Sequence, residues 1–179
     1  MDFSLSQEEE AVRDTVRAFI TKEVMPLEPE VLHRERQGLP AIDRSDLREL
    51  QQKARSFGFW GLSTPEEYGG MNLPAMLQSL IWTEVGRCVV PFQFGGEADN
   101  ILYHATDKQK REYLLPTIEG ERISCFAITE PGAGSDVANI KLSARRDGDD
   151  WVLRGEKTFI TIGSVCTASD GCNHNGTCF

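Results

Sequence analysis

An α+β layout, helices first and strands after, follows from three observations. Apolar residues recur at helical spacing up to about Gly120, capping signals precede those runs, and from Ile123 the pattern changes to short apolar runs punctuated by turns. In the first helical segment, Ser6-x-x-Glu9 forms a capping box ahead of Val12, Val16, Phe19 and Ile20, which share one helical face. Pro26 is expected to close that helix, since it has no N–H to donate. Leu47, Leu50, Ala54 and Phe57 repeat the pattern behind Asp43 and Ser45, with Gly58 placed to stop it.

Pro74 suits a first helical turn, and Met76, Leu77, Leu80, Ile81 and Trp82 predict a more fully buried helix reaching Gly86. A short helix is expected over 97–105. Thr106-x-x-Gln109 is a second capping box leading to Tyr113, Leu114 and Ile118, with Pro116 expected to kink or end that helix. Ile123 to Thr129 then reads as a strand buried on both faces. Asp147-Gly148 separates Leu142–Arg146 from Trp151–Arg154 as a hairpin, and Phe159 to Ile162 continues as strand.

The chain has 179 residues and a net charge of −9, which argues against a nucleic-acid binder, because such proteins cluster Lys and Arg to displace counterions. At 26% charged and 40% hydrophobic residues its composition is that of a soluble globular protein. The start, Met1-Asp2-Phe3-Ser4 followed by Glu8-Glu9-Glu10, lacks the basic and apolar regions of a secretory signal, and no apolar run is long enough to cross a bilayer. The expectation is a cytoplasmic protein without membrane attachment. Cys166, Cys172 and Cys178 recur at six-residue steps near His174, but without the close cysteine pairs of structural zinc, so no metal is assigned.

The stretch Cys125-Phe126-Ala127-Ile128-Thr129-Glu130-Pro131-Gly132-Ala133-Gly134-Ser135-Asp136 carries the chemistry. An apolar strand delivers a hydroxyl and opens into a glycine-rich turn, where backbone amides and Ser135 can hold an anion such as a cofactor phosphate. The helix that follows the glycines in the common phosphate loops is not indicated here, nor is the Lys of a P-loop. A bare Gly-x-Gly-Ser is common in a chain with 16 glycines, so its setting decides its meaning.

In that setting the stretch resembles the signature of the FAD-dependent acyl-CoA dehydrogenase family: an aromatic residue, a Thr, then Glu130-Pro131-Gly132-Ala133-Gly134-Ser135-Asp136. A second family element follows as Gly155-Glu156-Lys157-Thr158-Phe159-Ile160-Thr161. Upstream, Trp60-Gly61-Leu62, Pro65-Glu66-Glu67-Tyr68-Gly69-Gly70, Lys108-Gln109-Lys110, Tyr113-Leu114-Leu115-Pro116 and Gly120-Glu121 match as well. The resemblance implies an N-terminal all-α bundle over 1–120, the beginning of an antiparallel β-barrel-like domain over 121–162, and an atypical tail over 163–179. Members are considerably longer, so it also implies a truncated chain whose general-base carboxylate lies in a C-terminal region absent here.

The same resemblance implies α,β-dehydrogenation of an acyl-CoA thioester, with hydride passing to FAD. It places FAD against Phe126, Ala127, Ile128, Thr129, Gly134, Ser135, Phe159, Ile160 and Thr161, and the acyl-CoA near Ser135. Thr129 would lie at the flavin's edge, and Phe159 takes a position often held by Trp, where a flat apolar ring backs the flavin. Electron-transfer flavoprotein would accept the electrons, and a full-length member would be a homodimer or homotetramer. The alternatives are a noncatalytic chain, or a related chemistry on the same scaffold: acyl-CoA oxidase, nitroalkane oxidase or flavin monooxygenase. Glu130 suits loop geometry better than the role of base, and Glu66 and Glu67 read as exposed turn charges.

Overall fold

The structure, a computed structural model, describes residues 4–161, in two compact units that divide between Glu97 and Ala98. The cysteines at 166, 172 and 178, His174 and Ile162 lie outside the described residues. In the first unit, α1 (Gln7–Phe19) begins at the expected capping box: the Ser6 hydroxyl accepts from Glu9 N–H at 3.3 Å, and the Glu9 carboxylate accepts from Ser6 N–H at 2.7 Å. Two orphan donors of the helix start are thereby satisfied.

Pro26 does not end the helix as expected. Residues Ile20–Val24 widen into a π turn, in which Met25 N–H reaches back five residues to Ile20 O, then Met25–Leu27 tightens and α2 (Glu28–Arg36) continues. Widening the turn before the proline moves aside the carbonyl its ring would strike. The same device recurs in the second unit. There Leu115 N–H bonds Lys110 O immediately before Pro116, joining α5 (Asp107–Gln109) through Lys110–Leu114 to α6 (Leu115–Ile118).

Helix α3 (Arg44–Ser56) buries Leu50 and Ala54, and Gly58 terminates it in left-handed backbone at φ 89°. Phe57 departs from the expected core face: it lies just past the helix end, 58% exposed, with its ring edge-on to Phe19. Helix α4 (Ala75–Val85) starts after Pro74, which occupies the cap position instead of the first turn. It is less buried than its composition predicts. Ile81, Glu84 and Val85 are buried, whereas Met76 is 52% exposed and Leu77, Leu80 and Trp82 are half-buried.

The first unit's core joins Val16, Phe19, Ile20, Val24, Leu50, Ala54, Leu62 and Ile81 to Phe92 and Phe94, whose ring centroids are 5.0 Å apart. A buried ion group ties α1 to α4. Glu84, 3% exposed, accepts from Arg17 at 3.0 and 2.7 Å and from Arg87 at 2.8 Å. Close backbone packing holds the loops at this end of the unit: a Cβ on Gly96, at φ 90°, would stand 2.4 Å from Gly61 N and 2.5 Å from the Trp60 ring.

The short helix expected over 97–105 forms in the second unit as a 3₁₀ helix at Asn100–His104, and the Thr106/Gln109 capping box forms as expected. The hairpin pairs β1 (Ser143–Asp147) with β2 (Asp150–Arg154), in register Ser143↔Arg154 to Asp147↔Asp150. Its loop is Gly148-Asp149, one residue later than expected; Gly148, at φ 63°, supplies the left-handed first position that a tight hairpin turn requires.

Two strand expectations are overturned. Ile123 to Thr129 runs without a ladder and is half-buried, with Phe126 exposed, instead of being a strand buried on both faces. An apolar run becomes a strand only where a neighbour accepts its backbone groups, and among the described residues the sheet pairing is confined to β1 and β2. Phe159 to Thr161 is a bend, because Phe159 takes a left-handed φ of 55° that no strand accommodates.

Candidate functional site

The glycine-rich turn is built by one reciprocal pair of backbone bonds. Glu130 N–H donates to Ala133 O at 3.0 Å and Ala133 N–H to Glu130 O at 3.1 Å, reversing the chain over Pro131-Gly132. Ala133 is buried beneath the turn, while Gly134, Ser135 and Asp136 emerge exposed. Neither Gly132 nor Gly134 has left-handed backbone, and a Cβ added at either meets nothing within 4 Å. The described residues therefore impose no need for glycine at 134; what a side chain there would obstruct is a group approaching the backbone from outside.

The two motifs named from sequence come together. Thr158 N–H donates to Thr129 O at 2.9 Å, and Lys157 Nζ donates to Ile128 O at 2.8 Å and to Glu130 Oε1 at 2.9 Å. Glu130, 7% exposed, accepts two further bonds, from Lys141 N–H at 2.6 Å and Leu142 N–H at 2.9 Å. Its pKa falls from the ordinary 4.5 to about 2, first because of the Lys141 amide, then Lys157 and the Leu142 amide. A carboxylate committed to those donors stays ionised and is a poor proton acceptor.

The remaining expected residues frame this junction. Ala127, Ile128, Thr129 and Ile160 are half-buried, and Ser135 and Thr161 are exposed. Phe126 is 57% exposed and Phe159 is 91% exposed. An aromatic side chain displayed to that extent, on backbone that a bulky residue rarely adopts, is a surface suited to a flat apolar ligand. Glu66 and Glu67 stand exposed in a short turn of the first unit, as read from sequence. An open hollow of about 460 Å³ in the first unit, lined by residues including Phe19, Lys22 and Phe57, touches none of the expected site residues.

Lys157 stands in the second motif, where sequence reasoning assigns it no role. Spacing offers no signal that pairs it with Glu130, which lies 27 residues away, while Glu156 stands directly beside the lysine. Among the described residues no three His, Cys, Asp or Glu side chains are grouped to hold a metal ion, and no helix is long and apolar enough to cross a membrane.

Comparison with known proteins follows the same two segments. The N-terminal domain of acyl-CoA dehydrogenase matches residues 6–121, and the middle domain of acyl-CoA dehydrogenase matches residues 125–169. The chain is 32% identical over 173 residues to the (R)-benzylsuccinyl-CoA dehydrogenase of Thauera aromatica, covering 90% of this chain and 43% of that protein. It is also 32% identical to the short-chain specific acyl-CoA dehydrogenase of Clostridium acetobutylicum, over 92% of this chain and 43% of the relative. Among solved structures, the acyl-CoA dehydrogenase of Bacillus anthracis in complex with FAD aligns at a TM-score of 0.65 and 30% identity, over 89% of this chain and 27% of that one.

The chain thus spans less than half the length of these relatives. Within that span the helical and the motif-bearing segments are matched in chain order, and the chain belongs to the acyl-CoA dehydrogenase family, an FAD-dependent family.

Proposed function

We propose that this chain carries the flavin-facing part of an acyl-CoA dehydrogenase, with residues 1–120 as its helical domain and 121–162 as the start of its flavin-binding domain. The observation that carries this reading is the junction of the two motifs through the Thr158–Thr129 and Lys157–Ile128 bonds, with Gly134 bare and Phe159 displayed beside open space. These residues fit FAD. The amides and hydroxyl at Gly134 and Ser135 would hold its pyrophosphate, Phe126 to Thr129 would line its ring, and Phe159, Ile160 and Thr161 would back it.

FAD, when bound, supplies a hydride acceptor for the β-hydrogen of an acyl-CoA thioester. This chain's contribution would be to bind and orient: Thr129 would offer its hydroxyl to the flavin ring and Ser135 would bind both cofactor and acyl-CoA. Glu130 does not serve as the base that removes the α-proton, because its oxygens are already bonded to two amides and an ammonium. The base belongs to the part of the family's length that this chain does not span. Electron-transfer flavoprotein is the proposed electron acceptor, and a homodimer or homotetramer the proposed assembly of the full-length protein.

Titration of the 179-residue chain with FAD, followed by flavin fluorescence, tests the reading; stoichiometric binding is expected, and failure to bind refutes a flavin site in this chain. Anaerobic addition of acyl-CoA thioesters to the FAD-loaded chain then separates the alternatives. Bleaching of the flavin marks a competent dehydrogenase, and hydrogen peroxide formed in air marks oxidase chemistry. Binding without bleaching marks the noncatalytic chain, a reading favoured by the exposure of Trp151 and Phe159 at 63% and 91%.

A further inference from the structure

Three donors converge on one side chain in the second unit. The Glu130 carboxylate accepts from two consecutive amides, Lys141 and Leu142, which lie immediately before β1, and from Lys157, which lies just after β2. Lys157 also bonds Ile128 O, one residue before Thr129. The Lys157 side chain is 18% exposed and that of Glu130 is 6% exposed, so water competes little for either. Both ends of the hairpin and both motifs are therefore tied to one ion pair.

Resting on the flavin reading above, we propose that Glu130 and Lys157 are positioning residues: together they hold the Phe126–Thr129 segment and the Phe159–Thr161 segment at the spacing a flavin ring needs before any ligand arrives. Neither side chain touches the ring in this proposal. Lys157 fixes the carbonyl next to Thr129, and Thr158 N–H, the neighbour of the lysine, fixes the carbonyl of Thr129 itself. Removing the ammonium frees the Ile128 carbonyl and one donor to Glu130, and leaves the neighbouring Thr158–Thr129 backbone bond without that support. Preorganisation of this kind lowers the ordering cost that binding must otherwise meet.

The test compares Lys157→Met, Lys157→Arg and Glu130→Gln with the unaltered chain. Backbone amide exchange at Lys141, Leu142 and Thr158 is measured without FAD, with Ile81 in the first unit as the internal reference. Lys157→Met is expected to speed exchange at Thr158 about tenfold or more, the loss of charge-assisted hydrogen bonds, and Lys157→Arg to restore much of the protection. With FAD, the methionine variant is expected to bind about tenfold more weakly and to show an altered visible circular dichroism of the bound flavin, which a merely stabilising residue would leave unchanged.

Unchanged exchange at Thr158 in Lys157→Met overturns the proposal, as does faster exchange with unaltered FAD affinity and dichroism. If Ile81 also loses protection, Glu130→Gln, which keeps the side-chain shape, becomes the deciding variant under the same two criteria. Should the unaltered chain take up no FAD, the flavin reading falls by itself, and the exchange data alone decide whether the ion pair holds the two segments together.

Discussion

In the first unit Val16, Ile20, Leu62 and Ile81 are at most 1% exposed, whereas in the second Trp151, Val152 and Phe159 are 63, 46 and 91% exposed. The residues that identify the family most sharply thus lie in the unit that covers its apolar side chains least. Core residues face one another and are chosen for volume, whereas site residues face a ligand and are chosen for what they present. In this chain the packed core and the two motifs lie in different stretches of sequence. The first unit is expected to carry most of the measured cooperativity of unfolding.

The largest test of that contrast is Ile81→Ala. Ile81 is fully buried, in the helix that packs on α1, so the substitution should cost about 2–5 kcal/mol, as lost transfer energy plus a cavity. Urea unfolding followed by far-ultraviolet circular dichroism measures it, and Val152→Ala on the exposed hairpin should shift the same curve by less than about 0.5 kcal/mol. Equal losses at the two positions would break the distinction between a packed unit and a displayed one.

A finer comparison sets the buried carboxylates of the two units side by side. Glu84 is held at a pKa of about 2 chiefly by its hydrogen bonds to Arg17, with Arg87 adding to them, and Glu130 at about 2 by the Lys141 amide, Lys157 and the Leu142 amide. A carboxyl lowered from its ordinary 4.5 contributes stability that is fully present above about pH 4.5 and is lost as pH falls towards 2. Glu84→Gln should therefore cost about 2 kcal/mol at pH 7 and flatten the acid limb of stability between pH 4.5 and 2. An unfolding series at successive pH values checks this. An acid limb as steep in the variant as in the parent would remove Glu84 as its source.

How far sequence reasoning reached is clear from these same residues. The capping boxes at Ser6 and Thr106 and the core positions Val16, Phe19, Ile20, Leu50 and Ile81 were legible, because local spacing determines a helix face. Spacing was silent on Glu84, whose partner Arg17 lies 67 residues away, and on Lys157, 27 residues from Glu130. Pro26 and Pro116 signalled disruption without its form: the missing N–H forbids a regular turn and leaves open whether the helix stops or widens. The Ile123–Thr129 run failed as a strand for a related reason. Periodicity describes how a strand would face its neighbours and cannot supply the neighbour.

The smallest expected effect is at Trp151, and it sharpens the comparison most closely. Trp151 stands opposite Arg146 in the hairpin register, on the same strand face as Leu153, with most of its ring exposed. A cross-strand pair of this kind contributes about 0.2–1 kcal/mol, and a lone two-stranded hairpin is marginal in water. Trp151→Ser should therefore lower stability by no more than about 1 kcal/mol, while reducing the binding of an apolar dye that reports exposed hydrophobic surface. A loss above about 2 kcal/mol, the scale of a buried core residue, would mean that the hairpin is held by packing as the first unit is. A small loss with less dye bound would assign Trp151 to display, in the same class as Phe126 and Phe159, and would leave the second unit's order resting on the ion pair that joins its motifs.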